Sequence, residues 1–264
     1  MMSRFACVLV ATAAIGAGGS GGSGAKGTEP LSGRGPLNGE NAFALVKQAL
    51  PKPEANQEVT LVGTVEGKFV SLADNKLSTV GPAMALMVNF IEKKADLGVT
   101  HWAPHLFLVK SKGDQIEVVS HLEPLDLTND VDATVDQGSK LSLTTLQVTK
   151  EANAIVAILR KAEGNSVGGN IEETMVVYLV QKATLAIAFS TKSEVTSSEK
   201  VDGVMKTDKE VNKVELGKKG NKLADLTVTT RKYEIKGDQT EEYKPTTDRW
   251  CWNDKATSYM PECK

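Results

Sequence analysis

The chain has 264 residues, 41% of them hydrophobic and 24% charged, with a formal net charge of −2. That length suits one domain of moderate size, or at most two small ones, and the apolar share is enough for a core. The near-balanced charge offers no long-range field for gathering phosphates, which argues against nucleic acid as a partner.

The chain opens with "MMSR", a short segment with one positive charge, followed by the apolar run "FACVLVATAAI" from Phe5 to Ile15. This is the grammar of a secretion signal, and the run is too short to cross a bilayer as a helix. A signal peptide over residues 1–17 is the expectation, and with it a periplasmic or secreted protein. A lipid anchor needs a cysteine just after "AIG", where Ala17 stands, so none is expected. No later segment has the length of apolar residues that a membrane span requires. Residues 18–40 are rich in Gly and Ser and read as a flexible linker, which leaves residues 41–264 for one globular domain.

The aromatic share is only 5%, so the core must lean on Val, Leu, Ile, Ala and Met. In "NGENAFALVKQALPKP" the apolar residues Ala42, Leu45, Val46 and Ala49 recur at helical spacing, and Pro51 ends the element. "EVTLVGTVEGKFVSLAD" reads as one or two strands. "GPAMALMVNFIEKKADLG" reads as a second helix: Pro82 suits its first turn, Gly98 its end, and Met84, Met87, Val88 and Ile91 share one face. That Met-rich face is expected to be core before it is a soft binding surface.

The remainder is strand grammar. "HLFLVKS" and "QIEVVSHL" flank "KGD" as a hairpin. "KLSLTTLQVT", "NAIVAILRKA", "ETMVVYLVQ" and "ATLAIAFST" follow, with "GNSVGGN" as a long hairpin loop. The apolar centres Ile155–Leu159 and Val176–Val180 predict burial on both faces, or one face packed under the helices. Residues 191–222, dense in Lys, Glu, Ser and Thr, read as solvated loops or as edge strands guarded by lysines. "KLADLTVTTRKYEIKG" and "DRWCWND" complete the sheet. The predicted fold is α+β, mainly β: an antiparallel sheet with two helices from the N-terminal third.

Cys7 falls in the leader, which leaves Cys251 and Cys263 as an even pair. In an oxidising compartment they predict one disulfide near the C-terminus, worth about 3 kcal/mol through loop closure. Trp250 and Trp252 flank Cys251 and project from one face if the segment is a strand. With Tyr259 they form a candidate platform for a ligand or partner; capping the end of the core is the plainer reading.

"DLTNDVDATVD" sets Asp126, Thr128, Asp130 and Asp132 two apart, with Asp136 after them. Calcium takes several oxygen ligands from a tight loop, and this spacing supplies them. A helical calcium loop also needs Gly at its sixth place and Glu at its twelfth, where this chain has Val131 and Gln137. The segment resembles the Asp-rich loops of FG-GAP or VCBS-type β repeats, which run roughly DxNxDGxxD. Asp126, Asn129 and Asp130 take the matching places, while Val131 and Thr134 replace the Gly and the last Asp. The closing "RWCWNDKATSY" resembles the endings of secreted bacterial proteins that carry degenerate loops of this kind. The resemblance implies a β fold and, for intact copies, bound calcium in propeller blades. On the residues alone, an acidic turn between strands is the expectation. A calcium site of Asp126, Asp130, Asp132 and Asp136 is the alternative, and no other cofactor is expected.

His101 and His105 stand four apart in "HWAPH", the spacing of helical zinc sites, but Pro104 between them opposes a helix. "GGSGG" at Ser20 lies in the linker, and "SSEK" at Ser197–Lys200 lacks its companion motifs, so neither marks a nucleophile. There is no phosphate-cradling loop and no dinucleotide fingerprint. The reading that follows is an exported, non-enzymatic accessory or binding protein of the cell envelope, with an unknown envelope or extracellular partner. The alternatives are an envelope hydrolase assembled from His101, His105, His121 and Asp126, and a calcium-stabilised β module.

Overall fold

The computed structural model describes residues 31–73, 76–94, 99–122, 129–132, 139–165, 168–181, 184–217 and 222–261. Within them the chain forms one helix and a 15-stranded, mostly antiparallel sheet. The helix, α1 (Gly39–Ala49), starts at Asn38, whose side-chain oxygen accepts the Asn41 amide at 2.8 Å. Such a cap stabilises a helix by about 1 kcal/mol. Helical spacing buries Ala42, Leu45 and Val46, as the sequence predicts. Just before it, β1 (Ser32–Arg34) pairs with β5 (Gln115–Leu122), within the segment whose composition suggests a linker.

Four antiparallel strands form the first half of the sheet: β2 (Gln57–Ala73), β3 (Lys76–Lys94), β4 (Val99–Lys112) and β5, with β6 (Asn129–Asp132) alongside β4. The predicted second helix is β3. Its apolar run alternates, sending Met84, Leu86 and Val88 to one side and Ala83, Ala85 and Met87 to the other. Both sides are buried, so the run carries no polar face to reveal a period of two, and a helical face can be drawn through it equally well.

The second half comprises β7 (Lys140–Gln147), β8 (Asn153–Asn165), β9 (Gly168–Gln181), β10 (Thr184–Val201), β11 (Val204–Leu216) and β12 (Leu226–Lys236). β13 (Gln239–Glu242), β14 (Thr246–Asn253) and β15 (Ser258–Pro261) finish it. Short parallel contacts, Phe69 opposite Asn153 and Ser71 opposite Val180, join the halves.

Three apolar layers result. Helix α1 covers Met84, Leu86, Val88, Phe107, Val109 and Ile116. The middle layer packs Ala85, Met87, Leu106 and Leu108 against Ile155, Ala157, Leu159, Val176 and Tyr178. The third packs Val156, Val177, Leu179 and Phe189 against Leu223, Leu226, Val228 and Tyr259. The centres of β8 and β9 are therefore buried on both faces, the first of the two arrangements that their continuous apolar runs allow. Full burial of each Leu, Ile or Met in these layers stabilises the fold by about 1.5–3 kcal/mol.

The polar stretch after residue 190 is neither loop nor edge. It forms the distal half of β10 and all of β11, and β11 is paired on both sides. No residue of β11 is buried. Cross-strand ion pairs lace this ribbon, among them Lys209–Glu194 at 3.2 Å and Lys232–Glu210 at 3.0 Å. Lysines guard edges, but alternating charge serves equally well in a sheet wetted on both faces. Among the described residues no helix is long and apolar enough to cross a membrane.

Candidate functional site

The β4–β5 hairpin turns at Gly113, whose φ of +66° suits a residue without a Cβ. Lys112 faces Gln115 and Val109 faces Val118, but beyond a bulge Leu108 faces Ser120 and Phe107 faces His121. A one-residue shift in register moves every later side chain to the opposite face. The bulge therefore places His121 on the side of His105 and Phe107, under the α1 layer, instead of in the middle layer. His121 stacks on Phe107 with ring centroids 3.9 Å apart and planes 10° apart. Its Nε2 lies 3.2 Å from His105 Nδ1. His105 is 8% exposed and sits 5.2 Å from the Phe90 ring.

His105 forms part of the wall of a pocket of about 350 Å³. Phe90, Pro51 and Ala103 give it apolar surface, and Lys52, Glu54, Gln57 and Glu92 give it polar groups. The loop after α1 is held over β3 by its own bonds. The Gln57 amide donates to the Glu54 carbonyl at 3.0 Å, and the Glu54 amide donates to the Gln57 side chain at 3.1 Å. Asn56 Nδ2 donates to Glu92 Oε1 at 3.4 Å. An apolar wall with a few convergent polar groups is the usual make-up of a small-molecule site.

His101 and His105 lie on one strand, β4, where four residues span about 13 Å, so the helical spacing that zinc sites use is not formed here. The partner that meets His105 is His121, sixteen residues on, and the predicted hairpin alone does not reveal this because the bulge decides it. Of the acidic cluster, Asp126 and Asp136 lie outside the described residues. Asp130 and Asp132 stand on β6, where the backbone of Asp130 faces His101 and that of Asp132 faces Val99.

The aromatic group lies at the other end of the molecule. Trp252 faces Tyr259 across β14 and β15, their rings 5.5 Å apart and edge-on. Phe189 meets Trp250 at 5.1 Å and Tyr259 at 6.3 Å. Tyr259 is buried, and its hydroxyl donates to the Ala224 carbonyl at 3.0 Å. Burial, with a smaller contribution from the charge of Asp225, pushes its phenol well above the usual tyrosine range. Both tryptophans are half-buried against the third layer, so the trio caps that layer, and only the outer parts of Trp250 and Trp252 face solvent. Cys251 faces Met260 across this ladder; its expected partner, Cys263, lies outside the described residues.

Two buried carboxylates escape a reading by motif. Asp225 is 2% exposed and meets Arg249; its place in the apolar "KLADLTV" was the available signal. Glu117 is held by Lys110 at 2.7 Å and Lys112 at 3.2 Å. The lysines, Lys110 foremost, hold its carboxyl below the usual glutamate range against an opposing effect of burial.

No family model, no curated protein and no solved structure matches this chain.

Proposed function

We propose that the protein is an exported, non-enzymatic binding module of the cell envelope, and that its ligand site is the pocket beside His105. The observation that carries this reading is the pocket's make-up: apolar Phe90, Pro51 and Ala103 beside charged Lys52, Glu54 and Glu92. Val88 and His105, buried beside the lining residues, tie the strand side of the pocket to the layer under α1. The test is an NMR screen of the purified chain against amino acids, short peptides and peptidoglycan fragments. A ligand should shift the amides of Gln57, Phe90 and Ala103 in a saturable way, and Ala103→Trp should abolish the effect. Shifts confined to other surfaces, or none across the panel, would overturn the assignment of this pocket.

A second reading, an envelope hydrolase, draws on the contact between His105 and His121 at the pocket wall. It adds His101 and Asp126 as the other candidate groups. A histidine base contributes about 100-fold or more to a rate. Turnover of an activated ester that falls by that factor in His105→Gln would favour it over the binder. A calcium-stabilised module is the third reading. A melting temperature raised by calcium and restored by chelator, with Asp126 and Asp130 required, would select it.

Export, release of residues 1–17 and a Cys251–Cys263 disulfide belong to the same proposal. The mass of the protein recovered from the envelope fraction tests all three, because cleavage and the loss of two thiol hydrogens both appear in it.

A further inference from the structure

We propose that the pocket beside His105 selects an organic cation, a primary ammonium carried on a short apolar stem. This rests on the binding reading above and names the chemistry of its ligand. Two neighbouring cross-strand rows build the strand side of the pocket. In one, Phe90 stands between Val59 on β2 and Ala103 on β4; in the next, two residues along, Gln57 faces Glu92. Residues two apart on a strand share a face, so the Phe90 ring and the Glu92 carboxylate lie side by side. Ala103, the small member of its row, leaves room beside the ring. The loop after α1 brings Pro51, Lys52 and Glu54 to the same pocket.

Glu92 is half-buried and Glu54 is exposed. Among the described residues neither carboxylate is held by a lysine or arginine. Glu92 Oε1 accepts the Asn56 amide at 3.4 Å, a long bond for a charged acceptor. Lys52 offsets one of the two negative charges, which leaves the pocket acceptor-rich and negative. Carboxylates only accept hydrogen bonds, and a primary ammonium brings three donors with the opposite charge. The Phe90 ring adds to the selection, because an aromatic face attracts a cation. Pro51 and Ala103 give an apolar stem its contact. An anion of the same shape meets two carboxylates, and a neutral molecule gains the apolar contact alone.

The test is an NMR titration of the full chain, labelled with 15N in its backbone amides, with three probes that share a stem: 1-aminopentane, pentanoate and 1-pentanol. Work at pH 8, above the ordinary histidine range, keeps imidazole charge out of the comparison. The amine should shift the Gln57, Phe90 and Ala103 amides saturably and bind about fivefold or more tightly than the other two. Glu92→Gln keeps an acceptor for Asn56 and removes the charge, and Glu54→Gln does the same in the loop. Each should weaken the amine about threefold to fivefold and leave 1-pentanol unchanged. Lys52→Gln should strengthen the amine, a sign that lost packing does not produce. Added salt at about 0.5 M should erase most of the preference. Equal binding of amine and alcohol, or tighter binding of pentanoate, would overturn the cation and leave the pocket reading standing. Amine binding untouched by both glutamate variants would overturn it too. If no probe shifts these amides, the ammonium assignment falls, and the wider ligand panel judges the pocket by itself.

Discussion

Arg249 reaches from β14 to Asp225 in the segment before β12, and both its Nε, at 3.0 Å, and a terminal nitrogen donate to the same carboxylate oxygen. The acid is 2% exposed, while the guanidinium side chain is 54% exposed. The pair thus spans the boundary between the third apolar layer and water. The Gly217 amide donates to the Asp225 carbonyl at 2.7 Å, and Tyr259 bonds the neighbouring Ala224, so the end of β11 and residues of β14 and β15 converge on two residues.

Removing the guanidinium strands a buried charge. Breaking a fully buried pair costs about 3–5 kcal/mol, and the exposure of Arg249 reduces this. Arg249→Met is expected to destabilise by about 2 kcal/mol. Urea denaturation reads the change from the midpoint at constant slope. A loss under about 0.5 kcal/mol, the scale of an exposed ion pair, would show that water solvates Asp225 without its partner.

The strand assignment of residues 76–94 has its own test. In a helix with Met84, Met87, Val88 and Ile91 inward, Leu86 would face solvent. In β3 it is fully buried beneath α1. Leu86→Ala is therefore expected to cost about 2–5 kcal/mol, against well under 1 kcal/mol for an exposed helical position. Thermal or chemical denaturation separates the two outcomes.

Tyr259 gives an alkaline signature. Its folded phenol resists ionisation because it is buried, while in the unfolded chain it ionises near pH 10. Above that pH the unfolded state binds fewer protons than the folded state, so stability falls as pH rises. Tyr259→Phe is expected to cost about 1 kcal/mol at pH 7, through the lost bond to Ala224. It should also remove part of the decline above pH 10. Parallel declines in both proteins would place the effect on other tyrosines.

Glu117 works in the opposite direction. Its folded carboxyl is held low by Lys110 and Lys112, so its contribution is complete above the unfolded glutamate value near 4.3. That contribution fades as pH falls through the folded value. Glu117→Gln should be less stable than wild type at pH 7, and the gap should narrow steadily below about pH 4. A gap that stays constant down to pH 3 would assign the loss to packing.

Local signals carried much of this fold. The spacing of Ala42, Leu45, Val46 and Ala49 and the stop at Pro51 mark α1, and "KGD" between apolar runs marks the β4–β5 turn. Continuous runs in β8 and β9 announce burial on both faces. β3 defeated the same logic because a strand buried on both sides loses the alternation that identifies it. The polar half of β10 and β11 blurred it for the converse reason: with Thr196 alone buried there, the strands read equally as loops or as edge strands. The histidine pair depends on the bulge after Leu108, a feature of pairing between strands that no property of either strand announces.

The ribbon of β10, β11 and β12 also differs from the rest of the sheet in what fixes its size. A strand inside a packed layer must match the volume of its neighbours. β11 meets an apolar layer only through Val214, far from the turn, and its hairpin with β10 ends at Val201 and Val204, each about two-fifths exposed. Adding or deleting one cross-strand pair from each side of that hairpin would leave every apolar layer intact and change only how far the tip stands from the body. The reach of this arm is therefore free to drift between related chains while the pocket and the layers beneath it stay the same.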